Sequence, residues 1–223
     1  MLVKALAYET GSRLLNITAS SLASRHVDEG EKLIQSMFSA ARQLQPSIIF
    51  IDDVDDVLGA TREASRKLKT TLFAQFDGLS TGGKERVVVI AATNKPQELD
   101  DAALRRFTKR VYVTLPDEDA RLVLLENILI KQDSPLSIQE LKYLARVTSG
   151  FPGSDLTALA KEAALGATRG LSLEEVRRLN AQKLRNVTLE DFITPLEKVR
   201  GYESSESLEL CEQFNRKFGD ISV

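Results

Sequence analysis

Hydrophobic residues are concentrated in four short runs in the first half of the chain. They read RLLNITA (13–19), SIIFIDD (47–53), RVVVIAATN (86–94) and KRVYVTL (109–115). The second and third runs are apolar at consecutive positions, which is typical of strands buried on both faces of a parallel sheet. The pattern therefore predicts four strands, two of them buried on both faces.

Helical periodicity separates these runs. Between the first two runs, the segment 31–44 carries apolar residues at helical spacing, namely Leu33, Met37, Phe38, Ala41 and Leu44. Between the second and third runs, Leu68, Leu72 and Phe76 form an i, i+4, i+8 stripe. Strands that alternate with helices predict an open α/β layer fold with a parallel sheet and right-handed crossovers.

The second half of the chain has a helical pattern. Strand signals end before the segment 117–200, in which Ser137 followed by Glu140 matches the capping box that marks a helix start. A last amphipathic stretch over 201–223 is expected to pack back on the first domain. The chain is therefore expected to contain an α/β domain over 1–116, a small helical domain and this C-terminal helix.

Composition limits the class of protein. The 223 residues are 43% hydrophobic and 28% charged, which is typical of a soluble globular chain, and the net charge of -2 does not support a nucleic-acid surface. No apolar stretch reaches the roughly 20 residues of a membrane helix, so an intracellular protein with no membrane segment is expected. With one cysteine, Cys211, and one histidine, His26, a disulfide framework and a zinc site are excluded. Any metal is expected to be a hard cation such as Mg²⁺.

Polar residues follow two of the predicted strands. Asp52 and Asp53 end the second strand, at the edge of a parallel sheet where open α/β folds bind ligands. In phosphoryl-transfer sites one such acid holds Mg²⁺ and a neighbour orients the attacking water. Asn94 follows the third strand, and Arg105 and Arg106 end a short helical segment. Taken separately, these features also fit a solvated strand end, a turn before proline and surface charge.

Together the three motifs resemble the AAA ATPase module. IIFIDDVD is similar to the Walker B motif, AATN to sensor 1 and LRRF to the arginine fingers. The stretches QPSIIFID, ATNKPQELDDAALRRFTKRVYVTLPDE, GSDLTALAKEAALG and FNRKFGDISV resemble the microtubule-severing branch of that family, and within it the spastin group more than katanin or fidgetin. The resemblance extends over the whole chain and implies an AAA+ P-loop NTPase-type sheet followed by a helical lid.

This resemblance implies a role for each motif. The family forms hexameric rings that bind ATP and Mg²⁺ and pull the acidic tails of tubulin through a central pore, so a cytoplasmic, microtubule-associated protein is expected. Asp52 would hold Mg²⁺ through water, Asp53 would orient the attacking water, and Asn94 would sense the γ-phosphate. Arg105 and Arg106 would reach the nucleotide of the neighbouring subunit.

The lid is expected to approach the nucleotide near one helix start. Gly153 and Ser154 occupy the matching place in this sequence. Their alternative interpretation is an ordinary Gly-Ser helix start, which is compatible with that role.

The sequence departs from the family at the phosphate-binding loop. The Gly-Lys-Thr loop expected before MLVKALAYE is absent from the sequence, and so is the strand before it. Since backbone amides and a lysine of that loop hold the phosphates, ATP binding is expected to be weakened. The sheet is expected to have a vacant slot between RVVVIAATN and KRVYVTL, which suggests a fragment, a truncated gene model or an alternative product.

Asp53 stands where the family has glutamate. Its carboxylate is withdrawn by one methylene, about 1.5 Å. A misplacement of about 1 Å can lower a rate on the order of a hundredfold. Hydrolysis is therefore expected to be weak or absent, whereas nucleotide binding should be affected far less.

The expected pore loops also differ. The first holds Arg25, His26 and Val27 where the family has a basic residue, an aromatic and a hydrophobe, followed by Asp28 in place of glycine. The second is expected to form an electrostatic funnel for glutamate-rich tails, with a local charge of +3 from Arg62, Arg66, Lys67 and Lys69 against Glu63. An exposed loop histidine and a solvated helix face are the alternative interpretations.

Two kinds of function remain open at this point. The first is the ATPase region of a microtubule-severing enzyme that acts as a homo-hexamer. The second is a regulatory subunit deficient in nucleotide binding that joins a mixed ring of intact subunits and donates its arginines, or a non-functional fragment.

Overall fold

The computed structural model describes residues 2–23, 27–59, 63–81, 85–130, 136–166, 185–196 and 205–220. The chain divides into two compact units. The first unit comprises Met1–Tyr112 and Ser205–Val223, and the second comprises Val113–Ser204. Each unit has its own hydrophobic core.

A parallel sheet forms the centre of the first unit. Its strands are β1 (Arg13–Thr18), β2 (Ser47–Asp52) and β3 (Val87–Ala91), in the order β1-β2-β3 within the described residues. Thr18 lies opposite Asp52, and Ile51 lies opposite Ala91, so the carboxyl ends of the strands meet at one edge. The predicted open α/β fold with a parallel sheet is confirmed.

Helices make up most of the remaining described structure. Those of the first unit before residue 113 are α1 (Leu2–Glu9), α2 (Ala19–Ala23), α3 (Val27–Gln43), α4 (Asp55–Leu58), α5 (Glu63–Thr81) and α6 (Asp101–Arg106), with a 3-10 turn at Pro96–Glu98. Those of the second unit are α7 (Glu118–Ile130), α8 (Ile138–Val147), α9 (Gly153–Gly166) and α10 (Leu189–Leu196). The C-terminal helix α11 (Ser205–Phe218) belongs to the first unit and packs on the 3-10 turn.

The core of the first unit lies between the sheet and the helices α3 and α5. Phe38 of α3 and Leu72 of α5 are buried, as is Ile49 of β2. Apolar residues recur every three to four positions, so each helix has one continuous apolar stripe, and this stripe packs on the core. Leu44 was expected to extend the stripe of α3, but it is 49% exposed and lies one residue beyond the end of the helix at Gln43.

Two expectations about the strands are wrong. β3 is not buried on both faces, since Val88 is 55% exposed. The run 109–115 is not a strand: Val111 is 70% exposed, and the carbonyl oxygen of Arg110 accepts a hydrogen bond from the backbone N–H of Asp220. A strand needs a neighbour for its backbone groups, and among the described residues none pairs with this run.

The second unit is a helical cluster around Leu144, Leu156 and Phe192, all fully buried. The predicted capping box at the start of α8 is confirmed. The backbone N–H of Glu140 donates to Ser137 Oγ at 3.4 Å, and the N–H of Ser137 donates to Glu140 Oε2 at 2.7 Å. These bonds satisfy backbone groups that the first turn of a helix leaves unpaired.

We expect Ser137→Ala to lower the free energy of unfolding of the second unit by about 1 kcal/mol, because the backbone N–H of Glu140 loses its acceptor. Thermal unfolding followed by circular dichroism measures the change. Ser137→Asn is the matched control, since asparagine caps helices about as well as serine. Equal melting temperatures for the alanine variant and the parent chain would contradict the prediction.

Candidate functional site

The residues after β2 and β3 lie at the same edge of the sheet. The N–H of Ala92 donates to Ile51 O at 2.9 Å, and the N–H of Val54 donates to Ala92 O at 3.0 Å. These two bonds continue the pairing of the strands beyond their ends. The acids Asp52 and Asp53 are therefore placed beside the loop that carries Asn94.

The acids form a concentrated negative surface. Asp53 has a φ of +51°, a left-handed backbone that aspartate tolerates better than most residues, and its N–H donates to Asp52 Oδ1 at 3.2 Å. Partial desolvation raises the pKa of Asp53, and the charges of Asp52, Asp55 and Asp56 raise it further, whereas Lys95 lowers it. Asp53 is therefore a stronger proton acceptor than an isolated aspartate.

A hydrogen bond joins the two strand ends directly. The hydroxyl of Thr93 donates to Asp55 Oδ1 at 2.6 Å, and the N–H of Lys95 donates to Thr93 Oγ1 at 2.9 Å. The carbonyl oxygen of Asn94 accepts from Cys211 Sγ of α11 at 3.6 Å. The loop that presents the exposed Asn94 is thus held on two sides. The contact of Asp55 with Thr93 was not predicted, because no local sequence pattern pairs residues that are 38 positions apart.

The donor set at this edge fits Mg²⁺. Carboxylate oxygens are the ligands that Mg²⁺ prefers, and it commonly uses one or two of them together with water and phosphate oxygens. Among the described residues, no group of three or more His, Cys, Asp or Glu side chains is arranged to hold a metal ion. Asp52 and Asp53 supply two such carboxylates at this edge.

The adjacent arginines of α6 have different surroundings. Arg105 is exposed and makes no hydrogen bond or ion pair with any described residue. Arg106 donates to both carboxylate oxygens of Asp77, from Nε at 2.9 Å and from Nη2 at 2.6 Å. This pairing lowers the pKa of Asp77 and raises that of Arg106. The contacts of Arg106 run to α5 and to Ala102 of its own helix, not to the acids at the sheet edge.

Lys69 was wrongly assigned to the electrostatic funnel. Its side chain is only 16% exposed, pairs with Asp100 and donates to Leu58 O at 3.1 Å. Asp100 is the N-cap of α6, and its side chain accepts from the N–H of Ala103. Lys69 therefore links α4, α5 and the start of α6, and its charge is neutralised within the unit.

Three of the other expected pore residues lie outside the described residues. This holds for Arg25, His26 and Arg62. Val27 begins α3, and Arg66 is exposed on α5 next to the exposed Lys67. The expected pore loops stay predictions.

The second unit holds the expected lid residues. Gly153 and Ser154 begin α9, where the hydroxyl of Thr157 donates to Gly153 O at 2.8 Å and that of Ser154 donates to Asp155 Oδ1 at 3.2 Å. These contacts describe a well-formed helix start. The nucleotide-binding role of both residues stays a prediction.

Within the described ranges, no helix combines the length and the hydropathy that crossing a bilayer requires.

Comparison with known proteins identifies relatives over the full chain. The sequence is 57% identical to spastin of Ixodes scapularis, and the match covers 100% of this chain and 35% of that protein. It is 53% identical to spastin of Homo sapiens, with coverage of 100% and 37%. The chain thus spans about a third of the length of the curated relatives that it matches.

Solved structures show the same fold. The FIGL-1 AAA domain in complex with ADP matches with a TM-score of 0.85 and 39% identity, over 93% of this chain and 70% of that one. A structure described as the structural basis for katanin self-assembly matches with a TM-score of 0.78 and 35% identity, over 94% and 71%. The model of the ATPase family associated with various cellular activities (AAA) matches residues 1–115. The chain therefore belongs to the AAA family of ATPases.

Proposed function

We propose that this chain is the ATPase region of a microtubule-severing enzyme. Such an enzyme couples ATP hydrolysis to pulling the C-terminal tails of tubulin through the pore of a hexamer. The observation that carries the proposal is the meeting of Asp52, Asp53 and the Thr93–Asn94 loop at one sheet edge, in a chain 53–57% identical to spastins along its whole length.

In this proposal, the segments have separate tasks. Residues 1–116 bind the nucleotide, 117–200 act as the lid with Gly153 and Ser154 near the nucleotide, and 201–223 support the first unit. The contacts of α11 with the 3-10 turn and with Asn94 O support the last assignment.

Asp52 and Asp53 have different proposed roles in ATP hydrolysis. Bound Mg²⁺ would supply positive charge at the phosphate oxygens of ATP. Asp52 would hold the metal through water and Asn94 would contact the γ-phosphate. Asp53 would orient the attacking water and accept its proton as the water oxygen bonds to the γ-phosphorus and ADP leaves. The side chain of Asp53 is shorter than glutamate by one methylene, so it reaches less far toward that water.

The proposed substrate is the acidic tail of tubulin, which places the protein on microtubules in the cytoplasm. Arg66 and Lys67 are exposed on α5 and supply positive charge for such a tail. The proposed pore residues also include Arg25, His26, Val27 and Arg62.

Complementation of an incomplete ring tests the proposal. A spastin relative is first made finger-deficient, by alanine at the two positions that align with Arg105 and Arg106. Alone it should hydrolyse ATP slowly, because transition-state charge is left unbalanced at every site.

Adding this chain is expected to restore both Mg²⁺-dependent ATP hydrolysis and severing of fluorescent microtubules, since its arginines complete the neighbouring sites. Phosphate release and fluorescence microscopy measure the two activities. If the mixture hydrolyses ATP no faster than the finger-deficient spastin alone, or if this chain by itself shows no Mg²⁺-dependent ATP hydrolysis that Asp52→Ala abolishes, the proposed function is wrong.

A further inference from the structure

We infer that Asp77 of α5 is a positioning residue, which orients the guanidinium of Arg106 toward the nucleotide of a neighbouring subunit. The inference rests on the proposed function, because it assumes that Arg106 acts across a subunit interface. It is carried by the contacts of Arg106 within its own subunit.

Arg106 is held from three directions. Two N–H groups donate to Asp77, and Nη1 donates to the carbonyl oxygen of Ala102 at 3.1 Å. The guanidinium carbon lies 4.2 Å from the centre of the Phe73 ring. These contacts restrict the plane of the guanidinium as well as its position.

The anchored arginine is still able to bind a phosphate. A guanidinium has five N–H donors, and the contacts described above use three of them. The side chain of Arg106 is 26% exposed, and two of its donors are not used by these contacts. Arg106 can therefore donate to a phosphate oxygen without leaving Asp77.

One face of α5 contacts both the start and the end of α6. Lys69, Phe73 and Asp77 follow each other at i, i+4 and i+8, so they share that face. Lys69 contacts Asp100 at the start of α6, and Asp77 contacts Arg106 at its end. The helix that carries the arginines is thus fixed before any ring assembles.

Fixing Arg106 in advance has a kinetic consequence. A long side chain loses rotamer freedom when it is ordered, and for Arg106 this loss takes place on folding, not in the transition state. Arg105 has no such anchor among the described residues and would be ordered only on assembly. Removing the Asp77 carboxylate should therefore slow the chemical step at the neighbouring site more than it weakens ATP binding there.

The complementation assay with finger-deficient spastin tests this inference. We expect Asp77→Asn to lower the restored kcat about tenfold while the KM for ATP changes less than about twofold. Asp77→Glu, which keeps the carboxylate, should recover most of the rate. Glu85→Gln is the matched control, because it removes another ion pair of the first unit, that with Arg42, without touching α6.

The outcomes separate the inference from the proposed function. If the parent chain restores activity and Asp77→Asn restores it equally or better, the positioning role is wrong, and a faster variant would show that Asp77 restrains Arg106 instead. If Glu85→Gln or Asp77→Glu loses as much rate as Asp77→Asn, the effect is general destabilisation and the inference fails. If the parent chain restores nothing, the proposed function fails and the inference with it.

Discussion

Replacing both Arg105 and Arg106 with alanine in this chain should abolish its ability to restore ATP hydrolysis to finger-deficient spastin. The expected loss at each completed site is on the order of a thousandfold, because an arginine supplied in trans balances the charge that develops on the transferred phosphoryl group. Phosphate release at saturating ATP measures the loss. Co-elution of the variant with spastin on gel filtration checks that it still assembles.

A second basic pair in the same unit provides the matched control. Arg216 and Lys217 are also adjacent and in the last turn of a helix, here α11, and both are exposed. Replacing both with alanine should leave the restored activity within about twofold of the parent chain, since exposed charges away from a site have small effects. A double variant at Arg105 and Arg106 that keeps more than about a tenth of the activity would contradict the role of the arginines.

Replacing Asp191 with alanine is expected to destabilise the second unit by about 2 kcal/mol, because the N–H of Thr188 loses its acceptor and an ion pair with a half-exposed arginine is broken. Asp191 is 8% exposed and accepts from Arg185 Nη1 at 2.6 Å and from Arg185 Nη2 at 2.7 Å. It also accepts from the backbone N–H of Thr188 at 3.0 Å. Arg185 is half exposed and its Nη2 also donates to Gly166 O, so Arg185 keeps a partner in the variant. The loss of stability therefore comes mainly from the backbone N–H of Thr188, just before α10, which loses its acceptor.

Urea unfolding followed by circular dichroism, with hydrogen exchange in α9 and α10, measures this loss. Glu190→Ala is the matched control, since Glu190 is an exposed acid one residue away in the same helix and should change stability by less than about 0.5 kcal/mol. Equal stability losses for the two variants would contradict the structural role of Asp191.

The ion pair of Asp191 also predicts that the stability of the parent chain depends on pH in the acid range. Hydrogen bonds from Arg185, and then from Thr188, hold the pKa of Asp191 well below its ordinary value of 3.8. A carboxylate whose pKa is lower in the folded state than in the unfolded state stabilises the fold. This stabilisation is complete at a pH above the unfolded-state pKa and is lost as the pH falls through the folded-state pKa. The stability advantage of the parent chain over Asp191→Asn should therefore shrink as the pH falls below 3.8.

The sequence by itself determined the features that depend on near neighbours in the chain. The consecutive apolar residues of β2, the stripe of α3 and the capping box at Ser137 are local patterns, and the structure has each of them. The acids after β2 and Asn94 after β3 were expected at one sheet edge because parallel strands end together.

Only the tertiary structure decided the contacts between distant residues. Asp55 meets Thr93 across 38 positions, and Asp77 meets Arg106 across 29, and in each case the pairing depends on how whole helices and strands pack. Lys69 is neutralised for the same reason, since its partner Asp100 lies on another element. The run 109–115 has the composition of a strand, but a strand exists only with a partner for its backbone groups, and that partner is a property of the folded chain.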